Sequence, residues 1–410
     1  MDSSSSHRGR RAVPVAALAL ALLVLPACAA PASSSPDAVP STASDGHGIQ
    51  AGAAAEVASP ARALVIADDE GEVTLLDLES EERAVISPTA SDVEGIDADG
   101  RLVYVAHREG DRVSVDVVDT ARWTVPHGDH THSFLGEPHL VGTIDGDGEA
   151  RVTAGAQRAT VQFSSGEVVD LPHDDLADGL DGASRVPIAA VGPVVSFAAH
   201  LLVASPADTV EILDAEGAPV AGGTTRCTAA SDADITRVGA VFTCAEGAVL
   251  FTREVGGVIA AESLPLAAGA PATTDLAGRA DRPDLAGVAG EQGAWLLDVR
   301  ARQWTLLASD VPLLRAVAVG DDDSRTVVLD ADGRVRVLAA DGTVLARTEP
   351  LLAASVADPA LRDRVHLVVD AEHAYVSDPA AGAVHEIDHA DGVVTRTFTD
   401  LDPRFLSQVG

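Results

Sequence analysis

The sequence predicts an all-β protein whose main domain is a β-propeller of seven or eight four-stranded blades. Three observations lead to this prediction. A strand–turn–strand unit recurs along the chain, Gly-containing turns separate the units, and no stretch after the N-terminal segment keeps a helical apolar period. The repeat is about 40 to 50 residues long, the length of one propeller blade. We expect the two terminal segments to share a blade, because this closes the ring and removes free sheet edges.

The N-terminal segment, residues 1–27, has the pattern of a bacterial lipoprotein signal peptide. Basic residues between positions 8 and 11 precede an apolar run from Ala12 to Leu25, which is shorter than the roughly 20 residues that span a bilayer. The motif LPAC at 25–28 resembles a lipobox, which makes Cys28 the predicted lipidation site. The alternative is an ordinary signal that is cut near Ala27 or Ala30.

A linker follows at residues 28–60, and the propeller domain is predicted at residues 61–410. The linker consists mainly of Ala, Ser, Pro and Gly, so it cannot bury enough apolar surface to offset its ordering entropy. We therefore expect a disordered tether that holds an extracytoplasmic domain at the cell membrane through the lipid alone.

The formal net charge of −35 excludes some classes of partner. Such a surface repels nucleic acid and anionic lipid headgroups. We expect no nucleic-acid partner, membrane contact only through the lipid anchor, and a monomeric chain.

The repeated unit is an apolar strand that ends in Asp and is followed by a turn and a second strand. Its clearest copies are Val73–Asp77, Val113–Asp119, Val210–Asp214, Ala294–Asp298 and Val384–Asp388. Alternating apolar positions bounded by Asp-Gly and Glu-Gly turns are typical of hairpins in an antiparallel sheet.

Cys227 and Cys244 remain as a pair once Cys28 is assigned to the anchor. Two such thiols outside the cytosol usually form a disulfide. We expect the pair to join neighbouring antiparallel strands of one blade. A two-thiolate metal site is the alternative.

A dense cluster of metal-ligating side chains lies between the second and third repeats. Neutral imidazole and carboxylate are ligands that Zn²⁺ takes in tetrahedral sites. His130 and His132 share one face of an extended strand, and His127 or Glu137 can supply a third ligand. A long loop over one mouth of the ring is the expected setting, and a solvated surface loop is the alternative. The candidate metal ligands are His127, Asp129, His130, His132, Glu137 and His139.

No catalytic motif accompanies this cluster. The sequence contains no Gly-x-Ser-x-Gly elbow and no Gly-rich phosphate loop, and its His-Glu-x-x-His segment at 385–389 falls in a predicted strand and not on the helix that a zinc protease site requires. The sequence therefore predicts a protein that is not an enzyme.

These motifs resemble a known family. The HGDHTH segment at 127–132 with a following Glu-Pro, the second cysteine within VFTCAEGAVL at 241–250, and the strands at 294–298 and 384–388 are similar to the secreted AztD-type zinc metallochaperones. The resemblance implies a propeller that holds zinc outside the cytoplasm. It also implies delivery of that zinc to the solute-binding protein of a zinc ABC importer.

The chain departs from the family pattern at two places. Where the family carries Pro-His-His before a central blade, this chain reads Ser184-Arg185-Val186-Pro187, and no His-Gly follows Cys227. If those family histidines line the channel, this chain binds zinc only through its His-rich loop or not at all. Zinc metallochaperone is thus the expected function, and a metal-free interaction scaffold at the cell envelope is the alternative.

Overall fold

A computed structural model describes residues 54–87, 92–127 and 130–410. The predicted signal peptide, Cys28 and most of the predicted linker lie outside these residues. Helical structure in the described part is limited to short segments. They are α1 (Ala353–Ala357), α2 (Pro359–Arg362) and two 3₁₀ segments at His173–Asp178 and Gly290–Gln292. None of the described helices has the length and apolar character needed to cross a membrane.

Eight antiparallel sheets follow one another along the described chain. Sheet 1 contains β34 (Phe405–Val409), β2 (Ala63–Ala67), β3 (Val73–Asp77) and β4 (Arg83–Ser87). Sheet 2 contains β5 (Asp92–Ala98), β6 (Leu102–Glu109), β7 (Arg112–Asp119) and β10 (His139–Asp147). Sheet 3 contains β11 (Ala150–Ala154), β12 (Arg158–Phe163), β13 (Glu167–Pro172) and β14 (Ser184–Pro187). Sheet 4 contains β15 (Val194–Phe197), β16 (His200–Ser205), β17 (Thr209–Leu213) and β18 (Pro219–Arg226).

The second half of the chain continues the pattern. Sheet 5 contains β19 (Asp232–Ile235), β20 (Ala240–Cys244), β21 (Gly247–Arg253) and β22 (Ile259–Pro265). Sheet 6 contains β23 (Asp284–Val288), β24 (Gly293–Asp298) and β25 (Gln303–Ala308). Sheet 7 contains β26 (Leu313–Ala318), β27 (Thr326–Asp330), β28 (Val335–Leu338) and β29 (Val344–Arg347). Sheet 8 contains β30 (Leu367–Val369), β31 (His373–Asp378), β32 (Ala383–Asp388) and β33 (Val393–Phe398).

The Asp-terminated repeat of the sequence marks the third strand of its sheet. It forms β3, β7, β17 and β32 in sheets 1, 2, 4 and 8. In sheet 6 it forms β24, where Ala277 adds an antiparallel bridge to Ala286 of β23 and so stands in for a first strand. The repeat in the sequence therefore corresponds to the same strand in different sheets.

Apolar side chains fill the space between each sheet and the next. Between sheets 4 and 5, for example, Leu202 packs in one cluster with Phe242 and Phe251. The last sheet also packs against the first, because Tyr375 and Val384 of sheet 8 share a buried cluster with Leu64 of sheet 1. Such clusters join every consecutive pair of sheets. The eight sheets form a closed ring, and the predicted β-propeller is confirmed.

The two ends of the described chain meet in sheet 1. Strand β34 pairs antiparallel with β2 from Ala63 opposite Val409 to Ala67 opposite Phe405. Leu406 and Val409 are buried at this junction. The predicted sharing of one blade by the two termini is confirmed, and it removes two free sheet edges at once.

Cys227 and Cys244 form a disulfide with their Cα atoms 5.1 Å apart. The predicted pairing is confirmed, but the predicted position within one blade is wrong. Cys227 directly follows β18, the fourth strand of sheet 4, whereas Cys244 ends β20, the second strand of sheet 5. The bond therefore joins two consecutive sheets and lies in the apolar cluster between them.

A ninth, smaller sheet stands apart from this series. It contains β1 (Ala55–Val57), β9 (His130–Leu135) and β8 (Arg122–His127), in that order. We call β8 and β9 the histidine hairpin. Strand β1 lies before the predicted domain start at residue 61, and its pairing with β9 gives order to the last part of the predicted linker.

Candidate metal centre

The histidine hairpin is an insertion within sheet 2. It lies between the third strand β7 and the fourth strand β10. The sequence predicted a long loop here, and this prediction is wrong, because the segment forms two β-strands. The first of them begins at Arg122, three residues after β7 ends. Sequence patterning missed this because β8 and β9 carry mostly polar residues and lack the apolar alternation of the ring strands.

Aromatic and polar pairs hold the hairpin together. Trp123 lies opposite Phe134 in the register, and their rings stack with centroids 5.1 Å apart. The guanidinium of Arg101 lies 4.1 Å above the Trp123 ring. Next to this pair, the hydroxyl groups of Thr124 and Ser133 hydrogen-bond at 3.1 Å. Cross-strand contacts of this kind set the register of a two-stranded ribbon.

A buried arginine fixes the base of the hairpin to the ring. Arg122, only 7% exposed, donates to the Asp77 carboxylate at 2.6 Å and to the carbonyl oxygen of Ala61 at 3.2 Å. Asp77 ends the third strand of sheet 1. The hairpin is therefore anchored to sheet 1 by this ion pair and to sheet 2 by the chain itself.

The register of the hairpin brings three histidines to one face. His127 lies directly opposite His130, and His132 is two residues further along β9. Opposite residues share a face, and so do residues at i and i+2. One nitrogen from each of His127, His130 and His132 lies within 4.8 Å of the others.

The distances within this trio suit a tetrahedral metal ion. The Nε2 atoms of His130 and His132 are 3.1 Å apart, and two zinc ligands at about 2.05 Å lie about 3.3 Å apart in a tetrahedral site. The ring centroids of His127 lie 5.2 Å from His130 and 5.5 Å from His132. Small side-chain rotations are thus enough to turn all three imidazoles toward one ion.

Glu56 joins this centre from a distant part of the sequence. Its Oε1 atom lies 2.6 Å from Nδ1 of His132, and the His132 side chain is 10% exposed. A carboxylate can only accept a hydrogen bond, so Nδ1 of His132 carries the proton and Nε2 is the nitrogen available to a metal. Sequence reasoning missed Glu56, because it lies in the predicted linker and nothing in the sequence pairs that segment with β9.

The remaining predicted ligands have different positions. Asp129 lies outside the described residues. Glu137 is exposed in the connection to β10, and His139 is the exposed first residue of β10. Neither belongs to the histidine trio, because the chain leaves the hairpin at Leu135 and enters the ladder of sheet 2.

A cavity of about 770 Å³ lies where the first strands of sheets 2 to 5 meet. Asp97, Asp99, Asp232 and Asp234 line it together with several arginines, and none of its described lining residues is a histidine. Burial, with further contributions from the charges of Asp99 and Asp232, raises the pKa of Asp97 to about 6. Burial and the charges of Asp232 and Asp97 raise the pKa of Asp234 to about 7. The cavity is therefore acidic and takes up protons near neutral pH.

Solved structures of other proteins share this architecture. Two structures of AztD from Citrobacter koseri, one of them the apo form, match with a TM-score of 0.73 at 17% and 18% sequence identity. Each match covers 86% of this chain and 98% of the AztD chain. The chain has an AztD-type fold.

Another solved structure that this chain resembles, with a lower TM-score, is that of an enzyme. Dihydro-heme d1 dehydrogenase NirN, solved in complex with DHE, matches with a TM-score of 0.53 at 15% identity over 86% of this chain and 76% of NirN. The sequence of this chain matches no family model and no curated protein. The comparisons thus establish fold, and the chemistry must come from the residues themselves.

The two segments that depart from the family pattern lie at different places relative to this cavity. Ser184–Pro187 forms β14, the fourth strand of sheet 3, and none of its residues lines the cavity. The segment after Cys227 leads directly into β19, whose Asp232 and Asp234 do line it. At the second place where the chain departs from the family pattern, the residues that line the cavity are therefore carboxylates.

A second group of metal-ligating side chains is already engaged with an arginine. Asp370, Glu372 and His373 lie close enough to share an ion. However, Arg62 donates to Asp370 at 3.0 Å and to Glu372 at 2.8 Å. Asp370 also accepts hydrogen bonds from Tyr375 and from the backbone of Glu372 and His373. A guanidinium that pairs with both carboxylates makes this group a structural network near the chain closure.

Proposed function

We propose that this protein binds zinc outside the cytoplasm and hands it to the solute-binding protein of a zinc ABC importer, as a metallochaperone or accessory protein. The protein is monomeric and is held at the cell membrane by the lipid on Cys28. It is not an enzyme. The observation that carries the proposal is the trio His127, His130 and His132, whose ligating nitrogens lie within 4.8 Å of one another.

Two further facts support zinc as the ion. Imidazole is a preferred ligand of Zn²⁺, and a site with three protein ligands leaves a fourth position open. An open position suits transfer, because an incoming ligand of the partner can bind before the donor releases the ion. The AztD-type fold and the sequence resemblance to AztD-type zinc metallochaperones support the same assignment.

The position of the trio also favours exchange over storage. His130 is exposed, His127 is partly buried and His132 is buried. A partner can therefore reach one side of the ion while His132 holds the other. A fully enclosed four-ligand site would retain zinc more strongly and release it more slowly.

Zinc titration against a competing chelator tests the proposal. The mature protein is expected to bind one equivalent at the trio with micromolar or tighter affinity, and the His130→Ala/His132→Ala variant is expected to lose at least about 100-fold of it. His200→Ala is the matched control, because its imidazole hydrogen-bonds to the Ala198 carbonyl oxygen outside the trio. Transfer is then measured by mixing the zinc-loaded protein with the apo solute-binding protein and assaying zinc in each after separation.

Absence of zinc binding by the mature protein would overturn the proposal. The metal-free interaction scaffold would then be the better explanation of the fold. Binding without transfer would retain the zinc site and remove the role in delivery.

A further inference from the structure

The metal centre is assembled from two parts of the chain that are far apart in sequence. The histidine hairpin supplies the trio, and β1 supplies Glu56 from a position 76 residues before His132. Strand β1 pairs antiparallel with β9 over three residues: Ala55 with Leu135, Glu56 with Phe134, and Val57 with Ser133. The centre is therefore complete only while β1 lies against β9.

Strand β1 is weakly held by its own contacts. Ala55 and Glu56 are exposed and Val57 is only partly buried. A three-residue edge strand with so little apolar burial has little stability of its own. The hydrogen bond from His132 to Glu56 is thus a substantial part of what keeps β1 in place.

The connection after the hairpin is shaped to accept this segment. A side-chain carbon added to Gly136 would lie 3.2 Å from the Cβ atoms of both Ala54 and Ala121. Gly136 also donates a backbone hydrogen bond to Ala121 at 2.8 Å. The small residue therefore lets the start of β1 approach the base of the hairpin closely.

The hydrogen-bond directions define the role of the glutamate. His132 donates from Nδ1 to Glu56, so in the neutral form of His132 the lone pair is on Nε2, the atom that faces Nε2 of His130 at 3.1 Å. Zinc binding replaces this His130–His132 hydrogen bond, while the His132–Glu56 bond remains. Carboxylates that hold a metal-bound histidine in this way orient the ring and increase its basicity.

We propose that Glu56 is the positioning residue of the zinc site and that docking of β1 on β9 is coupled to zinc binding. This inference rests on the proposed zinc-binding function. Coupling is reciprocal, so zinc strengthens the docking of β1 by the same factor by which docked β1 strengthens zinc binding. Because β1 lies in the last part of the predicted tether, any event that pulls β1 away from β9 weakens the hold on zinc and promotes its release.

Zinc affinity and the tautomer of His132 provide the test in the mature protein. Glu56→Gln keeps the size of the side chain and removes the charged acceptor, so zinc affinity is expected to fall by about 10- to 100-fold. Glu56→Asp retains a carboxylate and is expected to recover part of the loss. Glu254→Gln is the matched control for the charge change, since Glu254 is exposed in a turn closed by its backbone bond to Val258.

Two measurements without a titration complete the design. In ¹⁵N spectra of the metal-free protein, His132 is expected to be protonated at Nδ1, and Glu56→Gln is expected to shift it toward a mixture of tautomers. Hydrogen exchange of residues 54–58 is expected to slow on adding zinc to the mature protein, and to slow much less in Glu56→Gln.

The outcomes separate this inference from the proposed function. Normal zinc binding by the mature protein with unchanged affinity in Glu56→Gln would overturn the inference and leave the function intact. A mature protein that binds no zinc would overturn both. Equal losses in Glu56→Gln and Glu254→Gln would assign the effect to net charge and would also overturn the inference.

Discussion

Replacing Asp234 by Asn is expected to stabilise the protein at alkaline pH and to have little effect in acid. Asp234 lines the acidic cavity, and burial together with the charges of Asp232 and Asp97 raises its pKa to about 7 from the usual 3.8. The folded state therefore holds this proton more tightly than the unfolded chain does. The contribution of this proton to the free energy of unfolding is fully present below about pH 4 and is lost as the pH rises toward 7.

The magnitude follows from the size of the shift. Each pH unit between folded and unfolded pKa values corresponds to about 1.4 kcal/mol, so the full shift gives an upper bound of about 4 kcal/mol. The Asp234 side chain retains some exposure, and solvent screening reduces the effect. We expect the free energy of unfolding of Asp234→Asn to exceed that of the parent by about 2 to 4 kcal/mol near pH 8.

Urea denaturation across the pH range measures this difference. The parent and Asp234→Asn are compared near pH 4, 6 and 8, and the gap is expected to open progressively with pH. Asp111→Asn is the control, because Asp111 is exposed beside the turn between β6 and β7. Parallel stability curves for the parent and Asp234→Asn would refute the assignment of a shared, proton-binding cavity.

Two further predictions concern the packing of consecutive sheets. Replacing both Cys227 and Cys244 by Ser is expected to lower the free energy of unfolding by about 3 kcal/mol, because the bond closes a loop across 17 positions; urea denaturation of oxidised parent and variant measures it, and equal midpoints would contradict it. Phe242→Ala is expected to cost about 3 to 5 kcal/mol, since this side chain is fully buried and meets the Phe251 ring edge-on at 5.6 Å. Val255→Ala, at a fully exposed site, is expected to change stability by less than about 0.5 kcal/mol, and similar losses in both variants would contradict a packed cluster between sheets 4 and 5.

The acidic cavity and the histidine trio are separate features of one strongly acidic protein. The carboxylates of the cavity lie on the inner strands β5 and β19, whereas the trio lies on an insertion near the outer strand of sheet 2. With a formal net charge of −35, the whole molecule attracts cations to its surface. Among the residues that the structure describes, the trio alone combines this field with three imidazoles close enough to share one ion.

The sequence identified the metal candidates but not how they are held. Three histidines within six residues form a cluster in the sequence, and the i, i+2 spacing of His130 and His132 predicted that these two share a face. The hairpin register that places His127 opposite His130 was not predictable, because β8 and β9 lack apolar alternation. Glu56 was hidden for a different reason, since a contact across 76 residues leaves no local pattern.

Local repetition by itself determined that this protein is a β-propeller, and the need to close the ring predicted that its two ends share one sheet. The alternation of apolar residues in strands, the Asp-Gly turns and the repeat length are properties of short stretches of sequence. A ring of similar sheets follows from them, because each sheet buries its apolar face against the next one. Only the tertiary structure decided which sheets the disulfide joins, which carboxylates share the cavity, and that a strand from the predicted linker completes the metal centre. Those features depend on contacts between distant residues, whose partners are fixed by packing of the whole ring and not by neighbours along the chain.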